Sequence, residues 1–511
     1  MTRQLIELSL PTDYTEDDLR IMIRKETGLA AFSYKIDLKS LDARKKDRIH
    51  WNLRVWVSDN EEGILATGEG ERLIIPIVAK KRAAIAGSGP AGFFAGYVLA
   101  LAGFEVTIFE KGPDADKRYE DIRKFETTGV FTPNSNYAHG EGGAGTFSDG
   151  KLTSRTKNIS KEKRFVLETY VAGGAPEEIL YLAKPHIGSD NLRKVIPTLR
   201  KKFMDLGGNI CFNEAILDFR DTSDGVKVIT ALQELNSDIL VFAPGHSSFE
   251  TYRMMMRRGI EFDPKPFAIG VRVEHPQTLI NRSQWGTEYL SGVKAADYKL
   301  TCSASSGTSV YSFCMCPGGQ VVPAGPEANL SVVNGVSDYM RDSDYANSGI
   351  VAGISIPELT GMQLSAAQCL DYLENLEEKV YRYKNNFEIP GNTIRDFILE
   401  KVNKKVPACS YPFAVYPSNF REYLPGQVIT ALREGMIDFS RKIKGFEKGI
   451  MMGLESKTSA PVRALRDETG NCIGFRNVYI AGEGSGFSGG IVSSAVDGIR
   501  IAMKIISAHA G

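Results

Sequence analysis

Residues 83–112 constrain the fold of this chain more than any other stretch. A short apolar strand, 83–86, runs into Gly87, Gly89 and Gly92, and a helical stretch follows over 93–101. A second strand, 105–109, then ends at Glu110, 18 residues after Gly92. Gly87 permits the tight turn, Gly89 lets the backbone approach a diphosphate, and Gly92 lets helix and strand pack closely. The helix N-terminus directs free N–H groups and partial positive charge at the phosphates. Glu110 stands where an acid binds the hydroxyls of an adenosine ribose. The competing reading, a glycine-rich turn with no ligand, does not account for strand, glycines, helix, strand and acid in this order.

Ser88-Gly-Pro-Ala-Gly92 and Glu110-Lys-Gly112 resemble the first FAD-binding segment of two-dinucleotide-fold flavoproteins more than they resemble NAD dehydrogenases. Gly87, Gly89, Pro90, Ala91, Gly92, Glu110 and Lys111 are therefore candidate cofactor residues. A second glycine-rich stretch, His139 to Lys151, carries five glycines from Gly140 onward and cannot build a core. It can wrap a flat or charged ligand. Gly142, Gly143 and Gly145 would supply the close approach, and Thr146, Ser148 and Lys151 the donors to phosphate or flavin edge. A mobile linker is the alternative, disfavoured by the apolar Ala144, Phe147 and Leu152. An apolar strand, 238–242, ends in Ala243-Pro-Gly245, resembling the segment that returns beneath the adenine end of FAD. Near the C-terminus another strand, glycine turn and helix follow one another. There Glu483 is expected near the ribityl or diphosphate region, after Gly482. Gly489, Gly490 and Ile491 would open a helix aimed at the flavin pyrimidine, where its positive end stabilises the charge of reduction.

At 511 residues the chain exceeds one ordinary domain. Its 42% hydrophobic and 24% charged residues are those of a globular protein, and zero net charge argues against a general affinity for nucleic acid. The start lacks a signal-peptide core and no apolar run could span a bilayer, so a cytoplasmic protein without membrane partner is expected. Seven unevenly spaced cysteines indicate no disulfide framework, and no metal-ligating cluster is evident.

The fold expected is α/β, with four segments. Residues 1–79 form a small ferredoxin-like α+β domain, with strands at 4–10, 32–38, 50–58 and 72–78 and a helix from Thr15 to Gly28. The basic stretch 39–54 in it is a solvated hairpin face or, less favoured, an RNA or protein-partner site. Residues 80–262 are the first part of a Rossmann-like FAD-binding domain, and 456–511 its return. Within it, Ser189 or Asp190 is the expected cap of a helix over 191–206, a further helix starts at 174–178, and 210–219 is one strand. Residues 263–455 are an inserted mixed-sheet substrate domain, with helices at 366–384 and 426–442.

Candidates for chemistry are weaker. His186 reads as a hydrogen-bonded turn residue in preference to an acid–base group. Cys314 and Cys316 would share one face of an extended segment. They suit a redox pair, but Cys-x-Cys without further ligands reads first as structural. Lys457 and Arg463 either orient an anionic substrate or tie the domains together.

Taken together, Gly140–Leu152, Lys184-Pro-His-Ile-Gly188, Tyr311–Gly319, Ala346-Asn-Ser348, Ser456–Arg463 and Gly482–Gly490 resemble the bacterial FAD-dependent (NAD(FAD)-utilising) dehydrogenase family over nearly the whole chain. Residues 383–410 depart from its pattern. The resemblance implies bound FAD and a fold related to geranylgeranyl-reductase and hydroxybenzoate-hydroxylase-like flavoproteins. The expected reaction is two-electron transfer between flavin N5 and a small-molecule substrate. With no second strand–glycine–helix unit, NAD(P)H would bind only transiently in the substrate cleft, or the reductant is a protein. An RNA-modifying flavoprotein and a flavin sensor without turnover are the alternatives.

Overall fold

The computed structural model describes residues 3–60, 64, 72–402, 404–486 and 489–509. Strand β1 (Arg3–Leu10), helix α1 (Glu16–Thr27), β2 (Ser33–Asp42) and β3 (His50–Ser58) come first. Thr15 and Asp18 form a reciprocal capping box on α1, and Gly28 closes it in the left-handed conformation. The sheet order β1-β3-β2, with β3 antiparallel to both neighbours, is the split β-α-β half of a ferredoxin-like arrangement. The expected fourth strand at 72–78 is not part of it. Leu73, Ile75 and Val78 pack instead on the core of the next sheet, and Val78 N–H donates to Ala102 O (2.9 Å).

That next sheet is parallel. It comprises β4 (Arg82–Ala86), β5 (Glu105–Phe109), β6 (Asn209–Cys211), β10 (Ile239–Phe242) and β21 (Val478–Ile480), in the order β21-β10-β4-β5-β6. The first and last strands of the Rossmann-like unit are thus one strand apart. Both faces are buried: Ala83, Ile85, Val106, Ile108 and Val241 point to one core, Ala84, Phe109, Leu240 and Phe242 to the other. This is why these strands read as continuous apolar runs. Between β6 and β10 the expected long strand 210–219 breaks at 212–215. Its remainder, β7 (Ile216–Thr222), joins β8 (Gly225–Thr230) and β9 (Glu234–Ser237) in a separate antiparallel sheet.

The inserted segment builds an eight-stranded sheet from β12 (Phe267–Pro276), β13 (Thr301–Ser303), β14 (Ser309–Pro323), β15 (Val333–Ser337), β16 (Tyr345–Ile354), β17 (Ile389–Thr393), β18 (Val415–Pro417) and β19 (Ile450–Glu455). Helices occur at Ala366–Lys384 and Gly426–Lys442, as expected from their apolar spacing. The two-stranded ladder β11 (Phe262–Pro264) with β20 (Val462–Ala464) joins the two ends of the insertion.

Helix α2 (Pro90–Leu101) and the last long helix, α8 (Ile491–His509), cross where Gly498 meets Ala91. A Cβ on Gly498 would stand 2.1 Å from Ala91 O. α2 follows Gly89 with Pro90 at its first position, and both helices begin at the same end of the sheet. A third helix, α3 (Ala115–Thr128), supplies Arg118, which is fully buried. Its Nε donates to Asn136 O (2.8 Å) and Nη2 to Tyr137 O (3.1 Å). Nη1 lies 3.2, 2.9 and 2.8 Å from the carbonyl oxygens of Gly140, Glu141 and Gly143. One guanidinium therefore satisfies the buried carbonyls of the glycine-rich loop. Burial lowers its pKa to about 10, so it stays charged at neutral pH.

Glu141 fixes the same loop from its other side, accepting from Ala115 N–H (2.8 Å) and Arg200 Nη1 (3.0 Å). Arg200 lies on α5 (Ser189–Asp205). That helix is not capped by Ser189 or Asp190 as expected; Gly188 is its cap. Ser189 donates to Asp338 (2.6 Å) and Asp190 accepts from Tyr339 N–H (2.8 Å), so both side chains bind the insertion. The helix expected from 174 is only a 3-10 turn, Glu177–Leu180, because the chain leaves to pair with Lys39 through Tyr181 O and Ala183 N–H.

Gly498→Ala is expected to cost about 1–3 kcal/mol by forcing α8 off α2. Gly426→Ala, where a Cβ meets nothing within 4 Å, should be near neutral; equal denaturation midpoints for the two would contradict this packing. Burial, against Arg200 and the Ala115 amide, lifts the Glu141 carboxyl to about 7 from 4.5. A raised carboxyl lends stability that is full below pH 4.5 and lost as pH rises through 7, here by up to about 3 kcal/mol. Urea midpoints should accordingly fall between pH 5 and 7.5 and fall less in Glu141→Gln; an unchanged slope would remove Glu141 from this balance.

Candidate active site

The starts of α2 and α8, the glycine-rich loop and one edge of the inserted sheet enclose a cleft of about 280 Å³. From the first segment Gly87, Gly89, Pro90, Ala91, Glu110 and Lys111 line it. From the loop come Gly143, Gly145, Ser148 and Lys151, and from the strand end Ala243 and Gly245. Glu483, Gly489, Gly490 and Ile491 line it from the C-terminal segment. The sequence therefore names residues on every wall of the Rossmann-like side.

Four expected cofactor residues stand behind the wall instead. Gly92 packs α2 on the turn, where a Cβ would be 1.9 Å from Gly87 O, and Gly482 backs onto Ala91. Gly142 lies on the far side of the loop, and the buried Thr146 donates to Glu141 O (3.0 Å) rather than to a ligand. Ser148, at the wall, donates to Gly145 O (2.7 Å). Glu110 also bonds within the protein. Its Oε2 accepts from Ser88 N–H (3.0 Å) and Ser88 Oγ (2.6 Å), and its Oε1 from Gly112 and Gly140 N–H (2.9 and 3.2 Å). It ties the turn to the loop while lining the cleft.

The fit to a dinucleotide is steric and electrostatic. Gly89 and Gly143 approach backbone to backbone, and a Cβ on Gly143 would lie 3.1 Å from Gly89 Cα. Side chains there would fill the cradle. Two helix N-termini converge on it, and the buried His139 Nε2 at its wall has no hydrogen-bond partner among the described residues. Lys111 pairs with Glu250 (3.2 Å) and Glu327 (3.4 Å), and Lys151 with Asp149 (2.8 Å). Asp149 is also held by Arg341 (2.7 Å) from the insertion. Lys265 pairs with Glu483 (3.0 Å), whose carboxyl is raised by burial against that pairing.

The insertion contributes Phe313, Cys314 and Asn334, with Lys457 and Thr458 beside them. Lys457 is buried, 2.8 Å from Glu377 and 4.3 Å from the Phe249 ring centre. His246, which sequence reasoning missed, lines the cleft and contacts Ser247 Oγ through Nδ1 (2.6 Å). Burial, then Lys457 and Lys265, lowers its pKa to about 4, and burial likewise lowers that of His139, so both imidazoles are neutral at pH 7. The tripeptide Pro244-Gly-His246 could have signalled His246, since it continues the Ala243–Gly245 motif.

Three proposed chemical residues do not line the cleft. His186 Nε2 contacts Tyr339 O (3.0 Å) and its ring lies tilted against Tyr339. Arg463, on β20, pairs with Asp263 (3.5 Å) across the ladder that closes the insertion. Cys316 is buried behind Cys314. Among the described residues no group of histidine, cysteine and carboxylate side chains could hold a metal, and no helix is long and apolar enough to cross a membrane.

An uncharacterised protein of Clostridium beijerinckii is 38% identical over 521 residues, covering 96% of each chain. Solved structures align more loosely. Glycine oxidase from Geobacillus kaustophilus has 11% identity and a TM-score of 0.38, covering 84% of this chain and 95% of that one. CtdE in complex with FAD has 13% identity and a TM-score of 0.35, covering 84% of each. Residues 266–458 match the family described as FAD-dependent protein, C-terminal domain-like. The chain belongs to this FAD-dependent family together with its Clostridium relative, and FAD is its cofactor.

Proposed function

We propose that the protein is an FAD-dependent oxidoreductase that moves two electrons between flavin N5 and a small substrate held at the inserted sheet. One observation carries this reading: a single cleft takes its walls from both remote ends of the Rossmann-like unit and from the insertion. Bound FAD supplies the two-electron chemistry. The chain supplies binding, orientation and charge. Gly87, Gly89 and the α2 N-terminus would hold the diphosphate, with Gly143 and Gly145 closing over it. Gly489, Gly490 and Ile491 set the positive end of α8 against charge that develops on reduction.

On the substrate side, Asn334 Oδ1 accepts from Arg272 Nη1 (3.2 Å) and Gly335 N–H (2.8 Å), which leaves Nδ2 as its donor. Lys457 is the cation best placed to orient an anionic substrate. Its counter-ion Glu377 also accepts from Ser456 Oγ (2.6 Å) and so holds the ammonium in position. The neutral His246 and His139 can donate or accept one hydrogen bond each without adding charge. Phe313 lines this end of the cleft, and the Phe249 ring backs Lys457. A nicotinamide donor would enter the same cleft transiently.

The test is anaerobic titration of FAD-loaded protein with NADH and NADPH. One of them should bleach the flavin band, and Lys457→Gln should keep FAD while raising the concentration of dinucleotide needed about tenfold or more, the equivalent of one lost charge-assisted contact. A flavin that dithionite bleaches and neither nicotinamide nor any other small-molecule donor does would contradict an oxidoreductase with an open substrate side.

A further inference from the structure

We propose that Cys314 and Cys316 form a redox-active dithiol–disulfide pair that exchanges two electrons with the bound FAD. The inference rests on the reading of the cleft as the FAD site. Its starting point is an irregularity in β14. Phe313 pairs with Gly349 and Cys316 with Asn347, so three steps on β14 match two on β16. This bulge places Cys314 in the left-handed region at φ 43°, a conformation that costs a non-glycine residue about 1 kcal/mol or more. It turns Cys314 to the cleft wall and leaves Cys316 directly behind it, with the sulfurs 4.0 Å apart. A regular strand would not hold the two thiols in this way.

The surroundings favour a thiolate. Arg272, fully buried, donates through Nη2 to Cys314 O (2.6 Å) and reaches Cys316 Sγ at 3.5 Å. Burial opposes its charge, but Glu455 at 3.0 Å and the two cysteine sulfurs together outweigh burial and keep the guanidinium protonated. Room for it exists only because residue 335 is glycine: a Cβ there would stand 2.1 Å from Arg272 Nη2. Lys151 flanks the pair from the glycine-rich loop. The Cys316 thiol as donor, then Lys151 and Arg272 against the effect of burial, hold Cys314 well below the usual thiol range, while Cys316 is raised by its bond to Cys314 and by burial. One sulfur is thus a nucleophile facing the cofactor site and its neighbour a protonated partner within reach.

The step balances. A bond forms between the two sulfurs, the S–H bond of Cys316 is lost while Cys314 enters as the thiolate, and the two electrons and one proton released are those FAD takes up in becoming FADH−. In reverse, reduced flavin returns the dithiol, which a disulfide-bearing or other two-electron acceptor can reoxidise at the open side.

Dithionite titration of the air-oxidised holoprotein reads the pair without assaying turnover. Wild type should take up two electron pairs per FAD, and Cys314→Ser or Cys316→Ser only one, since each dithiol–disulfide couple holds two electrons. Cys316→Ser should retain a long-wavelength thiolate–flavin absorbance that Cys314→Ser lacks. Alkylation mapping of wild type should find both thiols blocked before reduction and free after it, a readout that does not depend on the variants folding. Uptake of one pair by wild type, with both cysteines alkylated throughout, would overturn the dithiol pair while leaving the FAD site standing. A spectrum with no flavin band before any titrant is added would overturn both.

Discussion

A loop of mostly glycine can close over a ligand only if something answers its buried carbonyl groups, and here a single guanidinium does so. Arg118 reaches from α3 into the ring of carbonyls at Asn136, Tyr137, Gly140, Glu141 and Gly143, with the Phe147 ring 4.7 Å away on its flank. Left unpaired, each such oxygen would cost about 1–3 kcal/mol. Glu110 accepts from the loop's Gly140 N–H and Glu141 anchors the loop to Ala115 and Arg200, so the loop is held at both edges. Its backbone is then free to lie against Gly89, and the cradle follows from that contact.

The rest of the architecture brings the chain's two halves of the cofactor site to that cradle. β21 pairs with β10, which pairs with β4, so the sheet itself sets the C-terminal glycine turn beside the first one. Asp497 on α8 accepts from Gly482 N–H (2.7 Å) and from Arg466 (2.7 and 2.9 Å), which fixes the turn before α8 begins. The insertion is carried across the open side by the β11–β20 ladder and by Arg341 on Asp149. The cleft takes its walls from the parallel sheet's segments and from the inserted sheet alike.

Much of this was legible in the sequence, for a physical reason. Glycines at close approaches, apolar strands buried on two faces and amphipathic helices leave local traces, and the segments at 83–110, 366–384, 426–442 and 477–491 carry them. What escaped is non-local. Nothing beside Arg118 in the sequence shows that its partners lie 18 to 25 residues on. Residues 72–78 alternate like a strand, yet their apolar side packs on another sheet's core. Glu110 reads as an acid for a ribose, and the donors that reach it from Ser88 and Gly140 are set by the fold of the turn and the loop. Cys314 and Cys316 were read on a regular strand, and the bulge that changes their meaning depends on pairing with β16.

The central claim is that two remote segments grip one FAD molecule together. Hydrogen exchange followed by mass spectrometry, with and without added FAD, tests it most directly. FAD should slow exchange in residues 87–92 and 489–494 in the same titration, with the loop at 140–148 slowed alongside them. Protection confined to one end of the chain, or absent from both, would contradict the account.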